Sequence, residues 1–394
     1  MKTASHRTGF KILALVMGLA VFVAGDFAVR QIYLKLKPKS DKSFSHRTQN
    51  PYYDHGFRPM SRGIDHYGPL SSEIFINSLG MRDASCRVVD PQARTPRVLL
   101  LGDSFAEAGC IPWDKTFAGI LAAYGTDKGV EVLNAGVASY CTATEAAKVR
   151  YLLEKEGLRF DHLVLFIDVS DVRDELFHRL KQDGYSEHVP TGPYTGGVAQ
   201  KIMGARRFED VYRWLGRNVE NNFALLGALV RNSWQMLKDR HGLEAVKEYS
   251  TTNYELLSWP EQPDRHPEMV AEGKKRMLSS LDAILALSRK NGFSLTVVSY
   301  PWPDQVLHPN PLTPARETWR NWCGANRVPY LSLFEIFWNA GPPKEVVDKY
   351  YIHGDMHWNE AGHALVAKEL MRRWGEICEQ RSDDRGRKRV GSSR

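Results

Sequence analysis

The chain has 394 residues, of which 43% are hydrophobic and 25% are charged, and its formal net charge is +7. This make-up is typical of a globular protein with one large or two ordinary domains. Part of the positive charge lies in the two ends of the chain, and the sequence contains no zinc finger and no basic helix with interleaved aromatic residues. These features argue against a nucleic-acid partner.

The first 36 residues have a basic beginning followed by an apolar stretch over 12–25. Apolar residues beyond Asp26 extend this stretch towards the roughly 20 residues that a bilayer requires. We predict a retained signal anchor, a transmembrane helix within 1–36, because no A-x-A cleavage site is present. A signal peptide cut after "VAG" is the alternative. Lysine and arginine residues flank both ends of the stretch, so charge does not decide its orientation.

Residues 37–95 are rich in polar residues, proline and glycine and contain no long periodic run. This composition predicts a linker and an irregular lead-in. After Arg97, short apolar runs alternate with stretches of helical length. Strands that are buried on both faces and alternate with helices form a parallel sheet, so the order predicts a three-layer α/β/α domain over 96–380 with five strands. The five runs are "RVLLL", "VEVLN", "HLVLFID", "SLTVVSY" and "VPYLSL".

A long aromatic-rich segment at about 185–265 interrupts this alternation between the third and fourth strands. Its apolar residues recur at helical spacing, as at Val219, Phe223 and Leu226, which predicts a helical insertion. The insertion either packs on the core as a helical pair or forms a lid or a membrane-facing patch. The basic tail, 381–394, is predicted to be disordered.

The stretch "LGDSF" places Ser104 between the first strand and the next helix. A serine in this position can cap the helix by accepting hydrogen bonds from its first turn. It can equally be a nucleophile, provided that a base takes its proton and a third group orients the base. The sequence at this point supports both interpretations.

The stretch "HGDMHWNEAGH" near the end of the chain offers the base and the orienting group. Asp355 and His357 precede the final helix. If their loop follows the last strand, we expect it at the same sheet edge as Ser104. His353 and His363 are alternative bases that the spacing leaves open. No metal is predicted at these histidines, because the spacing is not that of H-E-x-x-H and an Asp–His pair needs none.

Three groups at successive strand ends are candidate donors for an oxyanion. They are the backbone N–H groups of Ser104 and Gly136 and the hydroxyl of Ser170. Each has a simpler explanation as well, because Gly136 can be a turn residue and Ser170 or Asp171 can cap the helix after the third strand.

Five cysteines are too scattered for a disulfide scaffold. Cys110 and Cys141 follow different strands and either form one bridge at the sheet edge or remain two small buried residues.

The combination of these motifs resembles the SGNH, or GDSL-type, superfamily of esterases and acyltransferases, including its bacterial membrane-anchored members. The first block is matched by "GDSF" with Ser104, the second by "NAGV" with Gly136, and the last by Asp355 and His357. Two departures are visible: Ser170 stands where the family usually has an asparagine, and the last block is D-x-H in place of the commoner D-x-x-H. The stretches "INSLGMRD" and "YPWPDQ" are also similar to those members.

The resemblance implies a flavodoxin-like domain in which Ser104 attacks an ester, His357 is the base, Asp355 orients it, and Ser104, Gly136 and Ser170 form the oxyanion hole. The implied activity is carboxylic-ester hydrolysis, of O-acetyl esters on a cell-surface polysaccharide, with no cofactor and no metal. The alternatives are an O-acyltransferase of an exported polysaccharide and a catalytically idle carbohydrate-binding or assembly factor. With the signal-like N-terminus, the resemblance implies a membrane-anchored protein whose catalytic domain is periplasmic or extracellular.

Overall fold

The structure is a computed structural model that divides the chain into two compact units, residues 1–42 with 193–248 and residues 43–192 with 249–394. It describes residues 17–18, 20–32, 46–67, 70–188, 222–223, 225 and 267–378.

The smaller unit contributes the helical residues 20–32. Asp26, which interrupts the apolar stretch of the sequence, is buried there and accepts a hydrogen bond of 2.6 Å from the backbone N–H of Leu225. The rings of Phe27 and Phe223 lie 5.7 Å apart. Among the described residues, no helix is both long enough and apolar enough to cross a bilayer.

The larger unit is built on a sheet whose centre consists of five parallel strands. These are β6 (Arg97–Leu101), β7 (Glu131–Asn134), β8 (His162–Ile167), β11 (Ser294–Ser299) and β12 (Tyr330–Ser332). Their spatial order is β7-β6-β8-β11-β12. Counted along the chain this is 2-1-3-4-5, the flavodoxin-like order, in which the direction of winding reverses between the first and third strands. The predicted α/β/α fold is therefore confirmed.

Alternation along the strands explains the three layers. In β6, the side chains of Leu99 and Leu101 enter one hydrophobic cluster, while Val98 and Leu100 enter a second cluster on the opposite face. Because successive strand residues point to opposite faces, a strand that is apolar throughout must be covered on both sides. Helices supply this cover, and burial of these aliphatic side chains stabilises the fold by about 1.5–3 kcal/mol each.

The helices of the larger unit occupy the stretches between the strands. They are α1 (Ser104–Glu107), α2 (Phe117–Asp127), α3 (Thr142–Glu154), α4 (Val169–Asp174), α5 (Pro267–Asn291), α6 (Pro303–Leu307), α7 (Pro314–Asn326), α8 (Phe334–Trp338), α9 (Pro343–Tyr350), α10 (Glu360–Arg372) and α11 (Trp374–Cys378).

The lead-in is not irregular, so that part of the prediction was wrong. It forms β1 (Arg47–Asn50), β2 (Asp54–Phe57), β3 (Arg62–Tyr67), β4 (Leu70–Ile76) and β5 (Arg82–Asp83). The last three extend the central sheet to eight strands, because β5 pairs antiparallel with β7 through Arg82 and Asn134. These strands are short and mixed in polarity, and they exist because the edge of β7 offers backbone hydrogen bonds.

Two small hairpins lie outside the main sheet. One joins β1 to β2, and the other joins β9 (His178–Leu180) to β10 (Ser186–His188). The second hairpin includes the first residues of the predicted helical insertion. Except for residues 222, 223 and 225, the rest of the insertion lies outside the described residues, as does the tail from 381.

Candidate active site

Ser104 is the first residue of α1 and is not its cap. Asp103 occupies the capping position, and its side chain accepts a hydrogen bond of 2.9 Å from the N–H of Phe105. Gly102 permits the tight turn before the helix, since a Cβ there would lie 2.8 Å from the Cβ of Phe166. The hydroxyl of Ser104 is therefore free to take part in another interaction.

That interaction is with His357, which comes from the loop before α10. The Oγ atom of Ser104 lies 2.8 Å from Nε2 of His357. The Nδ1 atom of the same ring lies 2.5 Å from Oδ1 of Asp355, which also accepts a hydrogen bond of 3.0 Å from the His357 backbone N–H. Asp355, His357 and Ser104 thus form one continuous hydrogen-bonded chain.

The direction of the protons follows from this order. The Asp355 carboxylate accepts, so Nδ1 of His357 donates to it and Nε2 is left to accept the proton of Ser104. Burial, the largest single influence, opposes ionisation of Asp355, but the hydrogen bonds and charge of His357, together with a backbone hydrogen bond from Met356, outweigh it and lower the pKa of the carboxyl. The arrangement can activate a serine hydroxyl as a nucleophile.

Neither alternative histidine is hydrogen-bonded to Ser104 among the described residues, although His363 lines a small cavity together with Ser104 and His357. His353 is exposed on the same loop and reaches neither Ser104 nor Asp355. His363 is buried, and its Nδ1 atom lies 3.4 Å from the N–H of Phe117. Burial lowers the pKa of His363 to about 3, with smaller contributions from Arg82 and His357. A base of such low pKa accepts a proton poorly near neutral pH.

The three predicted oxyanion donors are not equivalent. The N–H of Ser104 makes no hydrogen bond within the part of the chain that the structure describes. The N–H of Gly136 instead donates to Oδ1 of Asn134 at 3.1 Å. The absence of a side chain at Gly136 allows its backbone to pack closely against α1. A Cβ at this position would lie only 2.6 Å from the Cβ of Ala106.

Ser170 is also engaged in a hydrogen bond in this structure. Its Oγ donates to Oδ1 of Asp168 at 2.6 Å, and its backbone N–H donates to the same oxygen at 2.6 Å. A hydroxyl carries one proton, so in this arrangement Ser170 has none to offer an oxyanion. Asp168, not Ser170 or Asp171, is the cap of α4.

Sequence reasoning missed a pair of buried carboxyl groups beside the site, Asp103 and Asp168. Oδ1 of Asp103 accepts a hydrogen bond of 2.7 Å from the Tyr300 hydroxyl, and Oδ2 of Asp168 accepts one of 2.6 Å from the indole N–H of Trp302. Burial, reinforced by the charge of Asp168, raises the pKa of Asp103 to about 7. Both aromatic donors come from "YPWPDQ", the stretch that the resemblance had singled out.

The lead-in holds the loop that follows the serine. The guanidinium of Arg82 is buried and donates to the backbone carbonyls of Glu107, Ala108 and Ile111, at 2.6, 2.5 and 2.5 Å. The buried Glu107 carboxylate is in turn paired with Arg47 at 2.6 Å. Buried charges of this kind are stable only when they are hydrogen-bonded, and these bonds fix residues 107–111 beside Ser104.

A small cavity of about 10 Å³ lies between Ser104, His357 and this loop. The residues that line this cavity include Ala108, Gly109, Cys110 and Ile111. A volume of this size has room for one group about as large as a water molecule.

Cys110 and Cys141 are both buried and both free, so the alternative of a disulfide bridge was wrong. Burial raises the pKa of the Cys110 thiol to about 11, which keeps it protonated near neutral pH.

No protein-family model matches the sequence, and no curated protein matches it. Among solved structures, the chain is similar to an acetyl xylan esterase at 12% identity and a TM-score of 0.38, over 70% of this chain and 98% of that one. It is also similar to a GDSL-like lipase from Bacteroides thetaiotaomicron at 10% identity and a TM-score of 0.34, over 72% and 90% of the two chains.

A third similar structure is a two-domain esterase active on acetylated mannans, at 12% identity and a TM-score of 0.34. The match spans 72% of this chain and 50% of that one. These solved structures are esterases and lipases, including a GDSL-type protein.

Proposed function

We propose that the protein is a serine-dependent carboxylic-ester hydrolase. The observation that carries the proposal is the hydrogen-bonded chain from Asp355 through His357 to Ser104, with distances of 2.5 and 2.8 Å. Ser104 Oγ attacks the ester carbonyl while its proton passes to Nε2 of His357. The imidazolium is stabilised by Asp355 and then protonates the leaving alcohol. Water attacks the acyl-serine in the second step and releases the carboxylic acid.

The proposed acyl group is acetyl. The cavity beside Ser104, at about 10 Å³, matches a single methyl-sized group, and the buried side chain of Ile111 closes it. Longer acyl chains would require the 107–111 loop to move, and Arg82 holds that loop through three carbonyls. The proposed natural substrates are O-acetyl groups on an exported polysaccharide.

The experiment compares p-nitrophenyl acetate, butyrate and octanoate as substrates of the full-length protein. Hydrolysis of the acetate ester that is lost in Ser104→Ala and His357→Ala supports the proposal. His353→Ala is the matched control, because His353 is an exposed histidine of the same loop and should retain wild-type activity. Equal inactivity of wild type and Ser104→Ala on all three esters and on acetylated xylan would favour the catalytically idle binding factor.

Adding an oligosaccharide acceptor to the same assay separates hydrolysis from transfer. Mass spectrometry detects an acetylated oligosaccharide only if a sugar hydroxyl, in place of water, attacks the acyl-serine. Free acetate as the sole product supports the hydrolase, and acetylated acceptor supports the O-acyltransferase.

The proposal includes attachment to a membrane through the first 36 residues, with the catalytic domain exported. The apolar stretch 12–25 supports this, as does the exposure of Val21, Phe22 and Val29 among the described helical residues. Membrane fractionation with an alkaline carbonate wash tests attachment, and alkaline phosphatase fused after residue 42 tests export. Recovery of the full-length protein in the soluble fraction would contradict the anchor.

A further inference from the structure

Three side chains away from the serine site converge at the β9–β10 hairpin. Asp54 begins β2, His178 begins β9 and His188 ends β10. One ligand atom from each of the three lies within 4.8 Å of those of the other two. Two imidazoles and one carboxylate are a common ligand set for divalent transition metals.

The hairpin register brings the two histidines together. His178 and His188 are directly opposite each other in the antiparallel pair, and their ring centroids lie 5.1 Å apart. Opposite residues of an antiparallel pair project from the same face, so both rings are directed to one side of the hairpin. Asp54 Oδ2 lies 3.8 Å from Nε2 of His178 on that side.

The hydrogen bonding of His178 leaves one ring nitrogen without a partner. Its Nδ1 atom lies 3.3 Å from the backbone carbonyl of Asp174 and therefore carries the proton that it donates. Nε2 is then a bare lone pair. This Nε2 atom is buried, since His178 is only 7% exposed, and it has no hydrogen-bond partner among the described residues.

An imidazole that is held in this way has the form that a metal requires. Histidine ligands typically donate their second ring nitrogen to a carbonyl or carboxylate, which fixes the tautomer and aims the other nitrogen at the ion.

The separations between the three ligand atoms are longer than a hydrogen bond and somewhat longer than those around a bound ion, so the side chains must draw together when an ion binds. A separation of 3.8 Å between Asp54 Oδ2 and His178 Nε2 is too long for a hydrogen bond. Around a tetrahedral Zn²⁺ with bonds of about 2.0–2.1 Å, ligand atoms are about 3.3 Å apart. The exposed His188 can close the remaining gap by changing its side-chain rotamer.

Asp54 is held in place independently of any ion. His55 Nδ1 lies 2.6 Å from Asp54 Oδ2, and His55 Nε2 lies 2.8 Å from the carbonyl of Ala138. Asp54 also has a φ of 70°, a left-handed conformation that side chains rarely adopt and that tends to occur at functional sites.

We propose that Asp54, His178 and His188 bind one divalent transition-metal ion, for which Zn²⁺ is the best match, and that the ion ties the β9–β10 hairpin to β2. The three ligands leave a fourth position for water. The site is independent of the Ser104 chemistry, because it shares no residue with Ser104, His357 or Asp355.

The test is zinc binding by the full-length protein after treatment with a chelator. Isothermal titration with ZnCl₂ should give one site per chain, and His188→Ala and Asp54→Asn should each weaken the affinity by at least about tenfold. His188 is exposed, so its variant should fold normally. Zn²⁺ should also raise the melting temperature of the wild type more than that of His188→Ala.

Two controls distinguish this site from other histidines. His308→Ala removes an exposed histidine, 76% exposed at its side chain, and should bind zinc as the wild type does. His357→Ala disrupts the serine site and should retain the zinc affinity. The proposal is overturned if the wild type binds no zinc, or if His188→Ala and Asp54→Asn bind it as tightly as the wild type.

Discussion

Ser104 and His357 are hydrogen-bonded at 2.8 Å although 253 residues separate them in the chain. Ser104 follows the carboxyl end of β6, and His357 lies on the loop just before α10. Both residues are placed by rigid elements, since Asp103 caps α1 and Asn359 caps α10. In the proposed mechanism, the nucleophile and its base are therefore positioned before any substrate binds, which reduces the entropy that the reaction must lose.

Replacing Asp355 with asparagine tests the orientation of His357. The asparagine amide can donate to Nδ1, which would place the ring proton on Nε2 and prevent it from accepting the Ser104 proton. We expect kcat for p-nitrophenyl acetate to fall by about 10³–10⁴-fold, with little change in KM. Asp348→Asn is the control, because Asp348 is an exposed aspartate of α9, and it should leave kcat unchanged. A fall of less than tenfold in Asp355→Asn would contradict the assigned role.

Ser170→Ala tests whether this hydroxyl stabilises an oxyanion. Its proton is donated to Asp168, so we expect kcat/KM to decrease by less than tenfold. Loss of a true oxyanion-hole donor lowers kcat by about 10²–10³-fold. Steady-state hydrolysis of p-nitrophenyl acetate distinguishes the two values, and a loss of a hundredfold or more would show that Ser170 redirects its proton to the bound substrate.

Ile111→Ala tests the size of the acyl pocket. Ile111 is buried at the end of the cavity, and its truncation adds space for about three methylene-sized groups. We expect the ratio of butyrate to acetate kcat/KM to rise by about tenfold, since each methylene buried is worth about 0.8 kcal/mol. Leu312→Ala, which truncates an exposed side chain, should leave the ratio unchanged. An unchanged ratio in Ile111→Ala would place the acyl group elsewhere.

Glu175→Gln tests the cost of a buried acid. Burial raises the pKa of Glu175 from 4.5 to about 7, against hydrogen bonds from Thr142 and the N–H of Ala143 that favour the ionised form. Between these two pKa values the folded state holds a proton that the unfolded state has released. The contribution of Glu175 to the free energy of unfolding is therefore fully present below pH 4.5 and is lost as the pH rises towards 7.

The expected size of this effect is about 3 kcal/mol in the free energy of unfolding, at about 1.4 kcal/mol for each pKa unit. Urea unfolding at pH 5 and pH 8 should show that Glu175→Gln loses about 2–3 kcal/mol less than the wild type over this range. Glu73→Gln, at an exposed glutamate of β4, is the matched control and should behave as the wild type does. Identical pH dependence in Glu175→Gln and the wild type would contradict the raised pKa.

The pattern of apolar residues along the chain was sufficient to predict the central architecture. Runs such as "RVLLL" and "HLVLFI" are apolar on both faces and become the buried parallel strands β6 and β8. Ser104 and Asp355 could also be selected from the sequence, because a weak nucleophile requires a base and an orienting acid. The spacing left the base open among His353, His357 and His363, and only the distance of 2.8 Å shows which histidine is hydrogen-bonded to Ser104.

The pairing of the remaining polar groups became visible only in the folded chain. The lead-in strands depend on the free edge of β7, and the hydroxyl of Ser170 depends on the nearby carboxylate of Asp168. Likewise, Asp54 and His188 are 134 residues apart in the sequence and meet only because two hairpins pack together. A hydrogen bond or a metal ligand set depends on distances of a few ångströms between groups from different elements, and a sequence pattern does not contain those distances.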